Sequence, residues 1–336
     1  MKKILITLCI TILILCSCSP ESKPIEPTTF SGFYFDTYIE VSIFDKCDDS
    51  IITELSDMCS RYNDTLSEDL EISEIYAINH SSESVTVSPD TFLILQEALA
   101  YASATDGIID PTIQIIQKEW NFKNPNSIPP SDNTINPLLK YVDYTKINMQ
   151  NNQVALGDKQ MITLGFIAKG YIADSIRDLL ISHNIENAII NLGGNVICMG
   201  NNPLKDNDYY TIGIEKPFGN NGEVITTVQT TNQSIVTSGV YERFFTYDGQ
   251  LYYHILNTST GYPIRQYDEN GNQLYSVTIV GKDSVTCDAL STTLLALGET
   301  NGCKFINDYP GYCAIFIYSD GSISYTSNYN NVINNY

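Results

Sequence analysis

The sequence predicts an α+β fold in which mixed sheets pack against helices. Strand-like and helical segments follow one another without the regular alternation of a doubly wound parallel sheet. The strand-like runs are rich in β-branched and aromatic residues, and they lie at 209–215, 224–230, 252–256, 275–281 and 312–318. A chain of 336 residues that is 43% hydrophobic and 17% charged can bury a core, which excludes global disorder.

Three helices have clear local signals. Ser88-Pro89 supplies an N-cap and a proline at the first helical position, and the helix is predicted to reach about residue 104. The segment 169–183 places apolar residues on one face. The segment 287–297 is predicted to form a helix that ends at Gly298.

Strands and loops fill the rest of the predicted domain. The segment 38–44 alternates apolar and polar residues, as a half-buried strand does, and 188–192 is apolar enough for a buried strand. Three prolines make 121–136 a loop, and the Asn- and Tyr-rich last residues are expected to pair with a sheet edge or to fray.

The N-terminus is predicted to lie outside the fold. Two lysines precede an apolar run at 4–15, which is too short to span a membrane and suits a signal peptide. Leu15-Cys16-Ser17-Cys18 resembles a bacterial lipobox, so Cys18 would be lipidated and hold the protein on the extracytoplasmic face of the cell membrane. The alternative is a plain secretory signal that leaves Cys18 as an ordinary thiol. The expected divisions are a signal peptide at 1–17, a lipidated tether at 18–30 and the domain at 31–336.

The net charge is strongly negative. The chain has 18 basic and 39 acidic residues, and removing 1–17 would take away two lysines, which leaves 16 basic residues and a net charge of −23. Nucleic acid is therefore not an expected partner. A phosphate ligand would need a metal cation or a locally basic pocket.

Several common sites are absent from the sequence. It contains no GxxxxGK[ST], GxGxxG, HExxH or GxSxG motif. No CxxC pair occurs among the six cysteines of the predicted domain, which argues against structural zinc and a thioredoxin-like site. Export would permit disulfides, but the sequence assigns no pairing.

Three short segments carry candidate chemistry. His254 would be delivered by the strand at 252–256 into a hydroxyl-rich turn, which suits a general base or a phosphate contact. Asp288 and Thr292 lie four residues apart on one helix face and would make a sparse magnesium site. Lys169 enters a helix after Gly165, where it could meet an anion. For His254 a structural role is the alternative, and for Asp288 with Thr292 it is an ordinary acid and hydroxyl near a helix start.

These segments together resemble the ApbE family, the FAD:protein FMN transferases. The resemblance covers nearly all of the mature chain, with its motifs in the family's order. They are Phe35-Asp36-Thr37, Arg61-Tyr62, Ser73-Glu74-Ile75 with Asn79, the TDGIIDPT run at 105–112, Trp120-Asn121-Phe122, 164–171 with Asp174, 191–195, Thr237-Ser238-Gly239 with Tyr241, His254 with the turn after it, and Asp288-Ala289-Leu290-Ser291-Thr292.

The resemblance implies a magnesium-dependent enzyme that splits FAD, joins FMN through its phosphate to a Thr or Ser hydroxyl of a target protein, and releases AMP. Asp288 and Thr292 would bind Mg²⁺ with the backbone carbonyl of Phe166. Lys169 and His254 would lie by the pyrophosphate, and His254 is the candidate base, with an expected pKa near neutrality. The acceptor would be a protein of the membrane or cell surface. The residues expected to bind FAD are Phe35, Tyr62, Ile108, Ile109, Asp110, Thr163, Lys169 and Leu256.

The chain departs from the family pattern at three places. Thr163 stands where many members have Asp, which changes one polar contact to FAD. Asn257-Thr258-Ser259 replaces Asp-Pro-Arg after the histidine, and Val240 replaces an Asp. The alternatives to transfer are an FAD pyrophosphatase that uses water as acceptor, and a non-catalytic FAD-binding lipoprotein. A thiamine-related periplasmic binding protein ranks last, because nothing here resembles a solute-binding hinge.

Overall fold

An eight-stranded sheet forms the centre of the computed structural model, which describes residues 26–205, 207–220 and 222–334. The strands are β1 (Thr28–Tyr34), β2 (Thr37–Ile43), β3 (Val85–Thr86), β4 (Asn148–Gln150), β5 (Gln153–Ala155), β6 (Ala188–Leu192), β7 (Asn195–Met199), β8 (Tyr210–Glu215), β9 (Val224–Thr230), β10 (Ser234–Gly239), β11 (Phe244–Tyr247), β12 (Gln250–Tyr253), β13 (Leu274–Gly281), β14 (Cys313–Tyr318) and β15 (Ile323–Tyr325). The helices are α1 (Asp49–Leu66), α2 (Glu74–His80), α3 (Pro89–Ala104), α4 (Gln114–Trp120), α5 (Asp132–Ile135), α6 (Ala168–Ser182), α7 (Ser284–Phe305) and α8 (Tyr329–Asn334).

The main sheet is antiparallel throughout. Its order is β1-β2-β6-β7-β10-β13-β14-β15, and each neighbouring pair runs antiparallel. Small sheets made by β3-β5-β4, β8-β9 and β11-β12 surround it. Helices therefore cover a mixed set of antiparallel sheets, and the predicted α+β class is confirmed.

Helices α6 and α7 cross close together where Gly170 meets the start of α7. A Cβ atom added at Gly170 would stand 2.4 Å from the Ser284 carbonyl oxygen and 2.7 Å from the Asp288 Cβ. Such distances leave no room for a side chain, so glycine permits this approach. α7 in turn packs on β10 and β13, and the main core lies between these elements.

The predicted helix at 287–297 is longer at both ends. Its N-terminus is Ser284, because the Asp174 carboxylate of α6 accepts hydrogen bonds from the backbone N–H groups of Ser284 (3.0 Å) and Val285 (2.8 Å). Gly298 does interrupt the helix, with φ 73° and ψ 168°, but helical structure resumes and reaches Phe305. A cap supplied from 110 residues away leaves no local signal in the sequence.

Three other boundaries differ from the sequence prediction. β12 ends at Tyr253, where its partner β11 begins at Phe244, so His254 follows the strand rather than lying in it. The folded domain begins inside the predicted tether, because β1 starts at Thr28 and pairs with β2. The last residues form α8, which packs its buried Val332 on the second face of the sheet, rather than pairing with an edge or fraying.

The predicted signal peptide and Cys18 lie outside the described residues. Within the described residues, no helix is both long and apolar enough to cross a membrane. The six domain cysteines are free thiols, so none of the permitted disulfides is formed: Cys47, Cys59, Cys198, Cys287, Cys303 and Cys313.

Candidate active site

The start of α6 brings polar groups close to α7, and we call the region around Lys169, Asp288 and His254 the candidate ligand cleft. The backbone N–H of Gly170 donates to Asp288 Oδ2 at 2.8 Å, which ties the first turn of α6 to α7. Phe166 lies just before the helix, and no described backbone N–H donates to its carbonyl oxygen. This oxygen is therefore available to a ligand, as the metal assignment for Phe166 requires.

Asp288 is a buried carboxylate with few partners. The side chain belongs to a residue that is 3% exposed, and burial raises its pKa. The Lys169 charge, the Gly170 N–H and the neighbouring Asn195 amide oppose that rise. Both amide atoms of Asn195 are buried without a full hydrogen bond to any described residue. The Asp288 carboxylate thus lies beside two buried amide atoms that have no hydrogen-bond partner among the described residues.

Thr292 is held by hydroxyl groups from β10 and α7. Its Oγ1 lies 2.8 Å from Ser238 Oγ, and Ser238 Oγ lies 2.7 Å from Ser291 Oγ. The Ser291 hydroxyl donates to the Asp288 backbone carbonyl at 2.8 Å. This chain of contacts fixes the Thr292 hydroxyl one turn beyond Asp288, on the same helix face.

These groups fit magnesium and not zinc. Among residues 26–334, apart from the two that the structure does not describe, no three His, Cys, Asp or Glu side chains cluster as a metal site. One carboxylate, one hydroxyl and one free carbonyl are a sparse set of hard oxygen ligands. Mg²⁺ prefers such sites because phosphates and waters complete its coordination.

Lys169 is the free cation of this cleft. It is half-buried and forms no salt bridge with a described residue. Its charge lowers the pKa of Asp288, of Glu242 and of His254. A lysine at the start of a helix, with no salt bridge to a described residue, suits an anionic ligand.

His254 lies in the candidate ligand cleft as a neutral imidazole. Desolvation, together with the positive charges of Arg243 and Lys169, lowers its pKa from 6.5 to about 3. The expectation of a pKa near neutrality is therefore wrong for the free protein. Its Nδ1 is buried without a hydrogen-bond partner among the described residues, whereas Nε2 keeps contact with solvent. Nε2 is thus the nitrogen that can take a proton from a ligand.

The backbone on both sides of His254 is well anchored. Its N–H donates to the Arg243 carbonyl at 3.1 Å, and Gln117 Nε2 donates to its carbonyl at 3.0 Å. In the turn that follows, Asn257 Oδ1 accepts from the N–H groups of Ser259 (2.9 Å) and Thr260 (3.0 Å). Asn257 therefore supplies the turn-forming oxygen that an Asp would supply, so this departure from the family pattern preserves the turn.

Glu242 is a site residue that the sequence analysis missed. It is an exposed residue, and desolvation raises the pKa of its carboxyl group. Gly239 N–H donates to Glu242 Oε1 at 3.2 Å, and the charges of Lys169 and Asp288 both act on it. Glu242 lies two residues after Val240, directly after a segment that resembles a family motif, and this was the available signal in the sequence. The spacing along the chain could not show that the Glu242 carboxyl group approaches Asp288.

The segment 108–112 forms part of the cleft wall. Ile108 is 38% exposed, whereas Ile109 is buried and packs in one apolar cluster with Phe166. The Asp110 carboxylate is buried and already accepts hydrogen bonds from Thr112 N (2.8 Å), Thr112 Oγ1 (2.6 Å) and Tyr144 N (2.9 Å). Asp110 therefore shapes this segment, and little of its hydrogen-bonding capacity remains for a ligand.

The other predicted pocket residues are placed differently. Phe35 lies at the tip of the β1–β2 hairpin with φ 56°, partly buried, and its N–H donates to Asn63 Oδ1 at 3.2 Å. Tyr62 is 3% exposed and its hydroxyl donates to Ser175 Oγ of α6 at 3.1 Å, so that hydroxyl is already engaged within the protein. Leu256 is buried with Trp120 in a separate apolar cluster. Thr163 is buried beside the 108–112 segment, since its N–H donates to the Pro111 carbonyl at 2.9 Å.

Fold and site define a class of protein: an antiparallel α+β domain with a cleft for an anionic ligand beside a sparse oxygen site for a cation. The chain belongs to the ApbE family, whose profile matches residues 35–316. It is 32% identical to a Klebsiella pneumoniae FAD:protein FMN transferase over 285 residues, which cover 83% of this chain and 86% of that protein. It is 30% identical to the Treponema pallidum FAD:protein FMN transferase over 275 residues, 76% and 73% of the two chains.

Solved structures agree with the family assignment. The crystal structure of the Thermotoga maritima ApbE protein superposes with a TM-score of 0.81 at 29% identity, and the match covers 92% of this chain and 99% of that one. The Vibrio cholerae flavin transferase ApbE superposes with a TM-score of 0.77 at 27% identity, covering 92% and 99%.

Proposed function

We propose that this protein transfers FMN from FAD to a Thr or Ser hydroxyl of an acceptor protein and releases AMP, with Mg²⁺ bound at Asp288. Membership of the ApbE family and the names of the similar proteins support FMN transfer from FAD to a protein. The observation that carries the proposal is that the Gly170 N–H donates to Asp288 at 2.8 Å, which brings the adjacent Lys169 at the start of α6 beside the carboxylate proposed to bind the metal. A diphosphate bound there would meet the cation site and the base together.

The metal would be held by Asp288, Thr292 and the Phe166 carbonyl, which are the oxygen groups described above. When bound, Mg²⁺ would screen the diphosphate and stabilise the charge that develops on the leaving phosphate. A bound cation would strengthen the binding of an anionic substrate to this acidic chain, because the overall field of the chain repels the substrate. The Gly170 N–H keeps one Asp288 oxygen oriented by its 2.8 Å hydrogen bond.

The side chains of the cleft would have separate roles in binding and in proton transfer. Lys169 would bind a phosphate oxygen, and the cleft wall at Ile108 and Ile109 would contact FAD. His254 Nε2 would accept the proton of the acceptor hydroxyl as its oxygen forms a bond to the FMN phosphorus. The bond from that phosphorus to the AMP oxygen then breaks, and AMP leaves with the electron pair.

We also propose that the enzyme works outside the cytoplasm on a lipid anchor at Cys18. The support is the apolar run at 4–15 and the cysteine that follows Ser17. An acceptor at the membrane or cell surface would then be within reach of the domain. The chain from Cys18 to the start of β1 at Thr28 is short, so the cleft would stay near the membrane.

The test uses the purified protein with FAD, Mg²⁺ and the exported proteins of the same cell as candidate acceptors. The expected result is covalent flavin fluorescence on an acceptor band in a denaturing gel, with AMP released in equal amount. Asp288→Asn should abolish both signals. Free FMN and AMP without a labelled band would support hydrolysis instead, and intact FAD in every sample would support binding alone.

A further inference from the structure

A carboxyl group reaches the cleft wall from a loop that no family motif includes. Glu68 lies in the turn between α1 and α2, and Ser67 fixes this turn. Ser67 Oγ accepts hydrogen bonds from the N–H groups of Asp69 and Leu70, both at 3.2 Å. The Ser73 hydroxyl donates to the Ser67 carbonyl. Hydrogen bonds to the side chain and to the carbonyl of Ser67 therefore hold the backbone that carries Glu68.

The Glu68 carboxyl contacts two segments of the cleft wall. Gln114 Nε2 donates to Glu68 Oε2 at 2.6 Å. The Thr163 hydroxyl lies close enough to lower the pKa of the carboxyl. Thr163 is itself joined to the wall by its hydrogen bond to the Pro111 carbonyl. Glu68 thus stands at the junction of the 108–114 segment and the segment that leads into α6.

Glu68 and His254 have one charged neighbour in common, Arg243. Arg243 lowers the pKa of both groups, and Lys123 also acts on Glu68. Burial is nevertheless the largest effect on Glu68 and raises its pKa. Lys123 forms salt bridges with Asp36 at 2.9 Å and with Asp69 at 2.6 Å, so its charge is already shared. Glu68 has no salt bridge with a described residue, which leaves its carboxyl for other partners.

We propose that Glu68 supplies, from the α1–α2 turn, the carboxyl group that contacts FAD at Thr163, the position where many ApbE proteins carry an Asp. The proposal rests on the proposed function, because it assumes that FAD occupies this cleft. The carboxyl group of Glu68 would then take the place of the Asp carboxyl group, so this chain can have a threonine at position 163. Glu68 acts here as a specificity residue for FAD.

The chemistry that a carboxyl recognises is an N–H donor. FAD presents two such edges, the exocyclic amino group of adenine and the imide N–H of the flavin ring. One hydrogen bond from either edge to a partly buried carboxyl is typically worth about a tenfold change in affinity. FMN and ADP carry these edges separately, so they identify which half of FAD contacts Glu68.

The first experiment measures binding of FAD, FMN and ADP to the full-length protein by calorimetry, without magnesium, so that no turnover occurs. Glu68→Ala is expected to weaken FAD about tenfold and to weaken one of the two half-ligands by the same factor. Glu68→Gln keeps the shape of the side chain and should also weaken FAD. Glu71→Ala, an exposed carboxylate in the same turn, is the matched control and should bind FAD as the wild type does.

The second experiment moves the carboxyl to the family position. Thr163→Asp added to Glu68→Ala is expected to recover most of the lost FAD affinity. Thr163→Asp alone should weaken FAD, since two carboxyls would then compete for one site and repel each other. Thermal melting of every variant separates a loss of folding from a loss of binding, because only a ligand contact predicts recovery of affinity in the double variant.

The outcomes separate this proposal from the proposed function. FAD binding by Glu68→Ala within twofold of wild type would overturn the role of Glu68, as would a double variant no better than Glu68→Ala. In either case the wild type would still bind and cleave FAD. A wild-type protein that binds no FAD at all would instead remove the proposed function.

Discussion

At the scale of single residues, the surroundings of His254 decide what it can do. Its imidazole is neutral in the free protein because burial and two nearby cations disfavour the charged form. A neutral imidazole is ready to accept a proton at neutral pH. A bound diphosphate would add negative charge beside it and raise its pKa, which would make it a stronger base when substrate is present.

This environment predicts how stability responds to acid. The pKa of His254 is about 3 in the folded protein and 6.5 for an unperturbed histidine, so the unfolded chain takes up the proton first as pH falls. The group contributes stability above pH 6.5 that is lost progressively toward pH 3. Between pH 7 and 5.5, the wild type should lose about 1 kcal/mol more unfolding free energy than His254→Asn. Urea denaturation at both pH values measures this, with His80→Asn as the control for removing a histidine from the unfolded chain.

Equal losses of unfolding free energy in the wild type and His254→Asn would show that His254 is not desolvated in the folded protein.

The His254→Asn variant also tests the catalytic role of His254. Single-turnover transfer at saturating FAD should slow by roughly two to four orders of magnitude, whereas FAD affinity should change little. An unchanged transfer rate with weaker FAD binding would instead make His254 a phosphate contact.

Asp288→Asn separates charge from structure at the cation site. The amide oxygen can still accept the Gly170 N–H, so the melting temperature should stay near that of the wild type. Magnesium-dependent FAD cleavage should fall at least about a hundredfold, because the only carboxylate assigned to the metal is lost. Asp288→Ala is a poorer test, since it leaves the buried Gly170 N–H unpaired at a cost of about 1–3 kcal/mol.

Turnover by Asp288→Asn near the wild-type rate, at the same magnesium concentration, would contradict the metal assignment. Direct measurement of Mn²⁺ binding by electron paramagnetic resonance gives a second readout, which does not depend on catalysis. Loss of Mn²⁺ binding in Asp288→Asn and its retention in Glu71→Ala would support the site.

At the scale of elements, the crossing of α6 and α7 builds the site. Gly170 lets the two helices approach, Asp174 caps α7, and Arg177 forms a 2.8 Å salt bridge with Asp174. Burial raises the pKa of Asp174 to about 6 even with Arg177 beside it. Three residues of one helix therefore set the position of the helix that carries Asp288 and Thr292.

Gly170→Ala tests that crossing. The added methyl would overlap the Ser284 carbonyl, so the helices must move apart, at an expected cost of about 1–3 kcal/mol in unfolding free energy. FAD cleavage should fall further than stability alone explains, because Asp288 moves with α7. Gly302→Ala is the control: its nearest neighbour is the side-chain atom Leu294 Cγ at 3.0 Å, a looser contact than the 2.4 Å to the Ser284 backbone carbonyl oxygen at Gly170. If Gly170→Ala and Gly302→Ala lowered stability and FAD cleavage equally, the close contact of α6 and α7 at Gly170 would not be what positions the site.

At the scale of the whole molecule, the chain combines an acidic domain with a basic, apolar N-terminal segment that we predict to be a leader. The charge of the leader suits export, and the charge of the domain disfavours nonspecific binding to nucleic acid. Strand β1 begins at Thr28, ten residues after Cys18, so we expect a lipid at Cys18 to leave the domain undisturbed.

Cys18→Ser should therefore release the protein from membranes and leave FAD cleavage by the soluble domain unchanged. Phase separation in detergent measures the first effect, and turnover per mole of protein measures the second. Cys47→Ser, which alters a free thiol of the domain, should stay in the detergent phase. Complete retention of Cys18→Ser with membranes would mean that another feature anchors the protein.

Local signals in the sequence predicted much of the fold. The Ser88 N-cap and Pro89 mark the start of α3, and the structure has the Ser88 hydroxyl accepting from Thr91 N–H at 3.3 Å. β6 and α6 also lie where their apolar patterns predicted. These features depend on residues that are neighbours in the chain, so the sequence contains their cause. The motifs that resemble the ApbE family likewise indicated the candidate site residues.

The sequence by itself determined the α+β class, the main helices and the family to which the chain belongs. Only the tertiary structure decided that Asp174 starts α7, that Glu242 approaches Asp288, and that Glu68 stands beside Thr163. It also decided the low pKa of His254, which depends on desolvation and on charges distant along the chain. Capping and periodicity act between near neighbours, whereas burial and electrostatics act through space, and only the folded chain brings those groups together.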